Sequence, residues 1–171
     1  MANTVDIEHF KNFWIEQQKT AVHMEPEKSF AHIENFIKNH NTCALATGYG
    51  DHIRNTPIEY TYMDGKFYLY SEGGMKFVGL EQNSNVCLAI FEYYGDPRDS
   101  HGLQVMGTAT LYPPRCDLFK KVLEFKGIPY DVMKAAKVDV CLIEITPSVM
   151  EMYDTDFVKE GYDVRQYAFF D

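Results

Sequence analysis

Residues 42–71, TCALATGYGDHIRNTPIEYTYMDGKFYLYS, decide how this chain folds. The stretch reads as three strands, because β-branched and aromatic residues fill it and turn-forming residues punctuate it. GYGD joins the first two strands, and Asp64-Gly65 is a strong hairpin signal joining the next two. Turns this short connect antiparallel neighbours, whereas parallel strands need a long crossover. Pro57 lies inside the second strand and lacks an N–H, which predicts a sheet edge, a bulge, or backbone facing something other than a strand.

Working outward, KFVGLEQN (76–83) reads as a short helix and VCLAIF (86–91) as a buried strand. The turn-rich YYGDPRDSHG separates it from LQVMGTATLY (103–112), where Leu103, Val105, Gly107, Ala109 and Leu111 alternate with polar or bulkier neighbours. Pro113-Pro114 opens a helix with Leu118, Val122 and Phe125 on one side, and a further helical piece is expected around YDVMKAAK. VDVCLIEITP (138–147) is the last clear strand. Upstream, Ile7, Phe10 and Trp14 predict an amphipathic helix over 6–19. A second helix carries Phe30, Ile33, Phe36 and Ile37 on one face, with Ser29 as its expected N-cap and Glu34–Lys38 paired outside.

The sum is mainly β with flanking helices: six antiparallel strands forming a small barrel, with an open sandwich as the alternative. A chain of 171 residues suits one domain, with 1–27 as a helical extension and 149–171 as a tail. Sixteen basic against 25 acidic residues, a formal charge of -9, exclude a phosphate-backbone partner and disfavour an anionic membrane surface. No apolar run approaches the roughly 20 residues that span a bilayer. The N-terminus lacks the basic start and apolar block of a secretory signal, so a cytoplasmic setting is expected. Four scattered cysteines without a CxxC pair read as free thiols, and the six histidines show no metal-ligand spacing.

Candidate chemistry centres on two cations. SEGGMK (71–76) places two glycines and Lys76 where a strand gives way to a helix, which is either an anion cradle or an ordinary turn; it is not a Walker loop. Arg54 lies on the strand face shared with Thr56, Ile58, Tyr60 and Tyr62. A hairpin placing that strand beside KFYLYS would let Arg54 and Lys76 converge on one dianion. No Ser-His-Asp arrangement or paired carboxylates stand out, and His101 is either a proton donor or a surface histidine.

In the order and spacing of HNTCALAT, IRNTPIEYTYMDGKFYLYS, GGMKFVGLEQNSNVCLAIF and LQVMGTATLY, the chain resembles the pyridoxamine 5'-phosphate oxidase-like, FMN-binding split-barrel superfamily over residues 28–148. The resemblance implies a six-stranded antiparallel split barrel and a homodimer with flavin at the subunit interface. It also implies an FMN-dependent oxidoreductase acting on a small molecule, with NADH or NADPH as a candidate donor. The alternative is a non-catalytic flavin-binding or ligand-sensing module, and a haem ligand ranks below flavin. By resemblance Arg54 and Lys76 hold the FMN phosphate, Asn55, Thr56, Pro57, Tyr70 and Ser71 line the rest of the flavin, and Gln104 contributes a side-chain contact. The chain departs from true pyridoxamine phosphate oxidases at Gly74 and Met75, where those carry a further arginine or serine. It also lacks their Trp- and Arg-bearing end, its only tryptophan being Trp14. Vitamin B6 oxidation is therefore not expected.

Overall fold

The computed structural model describes residues 5–92, 96, 98–135 and 139–170. Its centre is an antiparallel sheet of eight strands: β1 (Thr42–Tyr49), β2 (His52–Glu59), β3 (Thr61–Met63), β4 (Lys66–Ser71), β5 (Asn85–Phe91), β6 (His101–Tyr112), β7 (Cys141–Asp154) and β8 (Arg165–Phe169). The strand order is β2-β1-β5-β6-β7-β4-β3, with β8 also pairing β7. The sheet curls into a half-barrel, so that β2 at one edge touches β4 near the other.

Two differences from the expected six strands have local causes. The long second strand breaks at Tyr60, whose side chain turns inward and donates to the Ile37 carbonyl at 2.8 Å. Residues before the break pair with β1 and those after it with β4. The stretch expected as a tail is woven into the sheet, supplying the second half of β7 and all of β8.

β7 organises the curl. One side pairs with β6 along its length; the other pairs with β4 up to Ile145 and with β8 from Val149. Pro147 sits at the change of partner, opposite Gly107, where the β6–β7 register shifts in a bulge. A side chain at Gly107 would come within 2.3 Å of the Thr146 carbonyl oxygen, so only glycine allows this approach.

Helices close the two faces. α2 (Pro26–Lys38) buries Ile33, Phe36 and Ile37 against Leu45, Phe67, Leu69, Leu88, Val105 and Ile145 in the main core. It starts a turn earlier than expected because Pro26 suits the first helical position. Ser29 is therefore inside the helix, not its cap, and its hydroxyl donates to the Tyr167 carbonyl at 2.7 Å. α4 (Asp117–Phe125) caps a second core made with Met63, Tyr68 and Leu142. It buries Phe119, Val122 and Leu123, and leaves the expected Phe125 exposed. β4 is covered on both faces, Phe67 and Leu69 entering the main core and Tyr68 the second.

α3 (Lys76–Gln82) packs on β1 and β2, and α5 (Tyr130–Ala135) contacts α4. The last residues of the YDVMKAAK piece, and Tyr93, Tyr94, Gly95 and Pro97 of the turn-rich loop, lie outside the described residues. α1 (Ile7–Gln18) forms as expected, capped by Asp6, but buries none of its own residues. No helix among the described residues is long and apolar enough to cross a membrane, and the four cysteines are free.

Candidate anion site at the barrel split

Each expected site residue can now be placed. Arg54, Asn55, Thr56 and Pro57 lie on β2, an edge strand, which is one of the three settings Pro57 allows. Tyr70 and Ser71 end β4, and Lys76 opens α3. The expected hairpin between the strand of Arg54 and KFYLYS does not form, because β2 pairs with β1 throughout and β3 takes the place beside β4. The two cations nevertheless lie within electrostatic reach of each other. The curl brings β2 against β4, and α3 lies across β1 and β2.

Their proximity registers in the electrostatics. Burial pushes the pKa of Lys76 down, and the Arg54 guanidinium pushes it the same way, while Cys141 opposes them. Lys76 is 8% exposed. Its ammonium donates to the Gly73 carbonyl at 2.5 Å and has no carboxylate partner among the described residues. Gly73 and Gly74 take positive φ, 117° and 97°, which lets the turn fold back on the lysine. Ser71 stabilises the same turn, its hydroxyl lying 3.3 Å from both the N–H and the carbonyl oxygen of Gly73. Tyr70 is committed elsewhere: its hydroxyl donates to the Phe119 carbonyl and its ring packs edge-on against Phe119.

A cleft of about 200 Å³ opens between the β1–β2 turn and α3, lined by Thr47, Gly48, Tyr49, His52, Arg54 and Gly79 among others. Thr47 is directly opposite Arg54 in the β1–β2 ladder. It is buried, and its hydroxyl has no hydrogen-bond partner among the described residues. A side chain at Gly79 would come within 3.2 Å of Gly48 N and of Thr47 Cβ, so glycine there lets α3 lie close to β1. Thr47 and Gly79 escape sequence reasoning, since a threonine in a strand satisfies β-propensity and a glycine inside a short helix signals only weak helicity.

Two cations within electrostatic reach, with no acid paired to either and an orphaned hydroxyl nearby among the described residues, are what a phosphate requires: charge to balance and N–H and O–H donors to saturate its oxygens. The residues present therefore fit the phosphate end of a flavin mononucleotide. No group of three potential metal ligands occurs among the described residues. Gln104 is not part of this cleft. It lies on the outer face of β6, in register with Ala89, Ala44 and, across β1, Pro57. Three strand spacings separate Gln104 from Pro57, roughly 14 Å.

Residues 30–152 match the family model for pyridoxamine 5'-phosphate oxidase. The chain belongs to this family. No curated protein matches it. Among solved structures, it is similar to a Clostridium acetobutylicum protein related to general stress protein 26, of the pyridoxinephosphate oxidase family (TM-score 0.56, 17% identity, 77% of this chain and 91% of that one). It is also similar to a FAD-binding protein of Mesorhizobium loti (TM-score 0.53, 18% identity, 68% and 88%). A third is HutZ, a heme storage protein of Vibrio cholerae (TM-score 0.58, 17% identity, 73% and 92%). At these identities the likeness is one of fold.

Proposed function

We propose that this family member is an FMN-dependent oxidoreductase acting on a small molecule, with Arg54 and Lys76 holding the cofactor's phosphate. The observation that carries the reading is the pair itself: two cations within electrostatic reach, neither with an acidic partner among the described residues and one of them buried, in a protein of net charge -9. The Thr47 hydroxyl supplies a further hydrogen bond, and the Gly73-Gly74 turn places Lys76. The edge strand presents the backbone of Asn55, Thr56 and Pro57 to the rest of the flavin. Bound FMN supplies hydride and electron transfer; the chain supplies position, charge balance and exclusion of water.

The outer face of the sheet supports a homodimer with the flavin at its interface. Phe91, Met106 and Phe169 stand exposed there around the small residues Ala44, Ala46 and Ala89, leaving a broad apolar surface. The free thiols accord with a reducing, cytoplasmic setting.

The test separates cofactor, chemistry and phosphate recognition. FMN added to the purified chain should bind and be bleached anaerobically by NADH or NADPH. Bound flavin that no donor reduces makes the protein a non-catalytic flavin-binding module, and failure to bind FMN at all overturns both readings. Arg54→Ala should cost about 1.5–3 kcal/mol of FMN affinity, the range for hydrogen bonds to charged groups, while riboflavin affinity stays constant. Equal losses for the two ligands would contradict phosphate recognition.

A further inference from the structure

Helix α1 has the composition of a buried helix and the exposure of a free one. It carries Ile7, Phe10, Phe13, Trp14 and Ile15, all 44–72% exposed, and none of its residues is buried against the described chain. At 3.6 residues per turn these side chains sweep an arc of about 200°. A helix apolar over so wide an arc belongs inside an assembly. Its 12 residues are also too few to hold a helix firmly in water without packing. Trp14 does touch the body, its ring lying 4.6 Å from the Arg165 guanidinium, which orients the helix without burying it.

Beside it runs an apolar groove of about 580 Å³, between the chain entering α2 and the free edge of β8, walled by Met24, Pro26, Tyr167, Ala168 and Phe169. Gln166 on its floor is already satisfied: its amide oxygen accepts from Met24 N–H and its amide N–H donates to the Asp163 carbonyl, both at 2.8 Å. The groove therefore selects an apolar occupant. It is closed to the α1 of its own chain. Lys19, Thr20 and Ala21 continue the last turn of the helix, each N–H donating to the carbonyl three residues back. Val22 is then pinned, its N–H donating to the Asp163 carboxylate at 2.8 Å and its carbonyl accepting from Asp163 N–H at 2.9 Å. No residue between helix and anchor is left to reverse the chain. A lipid surface suits α1 poorly, because Asp6, Glu8 and Glu16 outnumber Lys11 and Lys19, whereas interfacial helices are rich in basic residues.

We propose that α1 of each copy lies in the groove of a second copy, a reciprocal exchange about a two-fold axis. Helix and groove then complete each other with surfaces this one chain carries. The exposed parts of Phe10, Phe13, Trp14 and Phe169 offer on the order of 450 Å² per copy. Doubled by symmetry and joined by the isoleucines, they pass the about 1,000 Å² that a specific interface needs. Phe169 belongs both to the groove and to the apolar outer face, so the exchange is continuous with the dimer surface described above. The inference rests on the homodimer of the flavin reading and adds the segment that clasps it.

Sedimentation equilibrium of the full-length chain, without added flavin, tests the exchange. Phe10→Glu alters a side chain that a single copy exposes, so its urea midpoint should match wild type. Its dimer dissociation constant should rise about a hundredfold or more, because each dimer loses two buried aromatics at about tenfold or more apiece. Phe125→Glu, as exposed as Phe10 but on α4, should leave the dimer unchanged. Tyr167→Glu damages the groove and should weaken the dimer as Phe10→Glu does. A mixed dimer of these two variants keeps one intact helix in one intact groove. Mixing them should therefore give association about tenfold or more tighter than either variant shows alone. Phe10→Ser and Tyr167→Ser repeat the test if a glutamate shifts the urea midpoint. The proposal is overturned if the wild type is monomeric, if Phe10→Glu dimerises as tightly as wild type, or if mixing brings no gain. Binding of a monomeric wild type to phosphatidylcholine vesicles, lost in Phe10→Glu, would overturn it in favour of a membrane. A wild type that dimerises through α1 but binds no FMN would sink the flavin reading and leave the exchange standing.

Discussion

Lys76 and His101 titrate in opposite senses, and each leaves its own mark on stability. Folding lowers the pKa of Lys76, through burial first and Arg54 second. Between that lowered value and the ordinary 10.5, the unfolded chain holds a proton that the folded chain has released. Stability should therefore rise with pH across that alkaline window. Urea midpoints should show the rise in the wild type and lose it in Lys76→Met. Bound FMN should flatten it too, because a phosphate favours the ammonium. His101 behaves in the reverse way. Burial disfavours its imidazolium, yet Asp99 at 2.9 Å and Asp154 at 3.0 Å outweigh this and raise its pKa above the usual 6.5. Its contribution is complete below that ordinary value and is lost as pH climbs through the raised one. Denaturation between about pH 5.5 and 8.5 should show stability falling with pH in the wild type and a flatter profile in His101→Asn. A slope of the opposite sign at either residue would contradict the assignment of its partners.

At the scale of elements, two glycines at close packings should respond differently to a methyl group. Gly107→Ala forces Cβ to 2.3 Å from the Thr146 carbonyl, and backbone on β7 cannot yield without breaking the bulge. The loss should reach or exceed the upper end of the about 1–3 kcal/mol seen for overpacking, read as a shifted urea midpoint at constant m. Gly79→Ala meets Gly48 and Thr47 at 3.2 Å, and the helix propensity it gains, about 1 kcal/mol, offsets the strain. Its stability should stay near wild type while FMN affinity falls, because α3 is pushed off β1 at the cleft. These elements also mark how far the sequence could be read. The Asp64-Gly65 hairpin, the alternation in β6 and the edge placement of Pro57 were legible because each is a local rule of turn, period or missing donor. The break at Tyr60 was not, since it rests on a hydrogen bond to Ile37, 23 residues away. Thr47 was equally hidden: an unsatisfied hydroxyl has no signature in a strand that otherwise alternates normally. Arg54 and Lys76 were paired on the expectation of a shared hairpin, whereas it is the curl of the whole sheet that brings β2 against β4.

For the whole molecule, the outer face and the net charge pull in opposite directions. Each copy carries a formal charge of -9, so two copies repel, while the exposed apolar residues of the outer face drive association. Added salt should therefore tighten the proposed dimer, an effect that light scattering across an ionic-strength series would show. Met106→Glu and Phe169→Glu, both on the cross-strand row through Val149, should leave the fold intact and give monomers. If the flavin sits between subunits, those monomers should also bind FMN more weakly; monomers with full affinity would move the flavin off the interface. The strand order carries one more consequence, for the making of the protein. β3 and β4 are synthesised right after β2, yet their place beyond β7 does not exist until the last quarter of the chain has left the ribosome. The β1–β2 and β3–β4 hairpins can form during translation, but the second must then wait with its apolar Phe67 and Leu69 uncovered. The barrel is closed late by a segment made early, and that interval is when the nascent chain is most open to capture by chaperones or by its own neighbours.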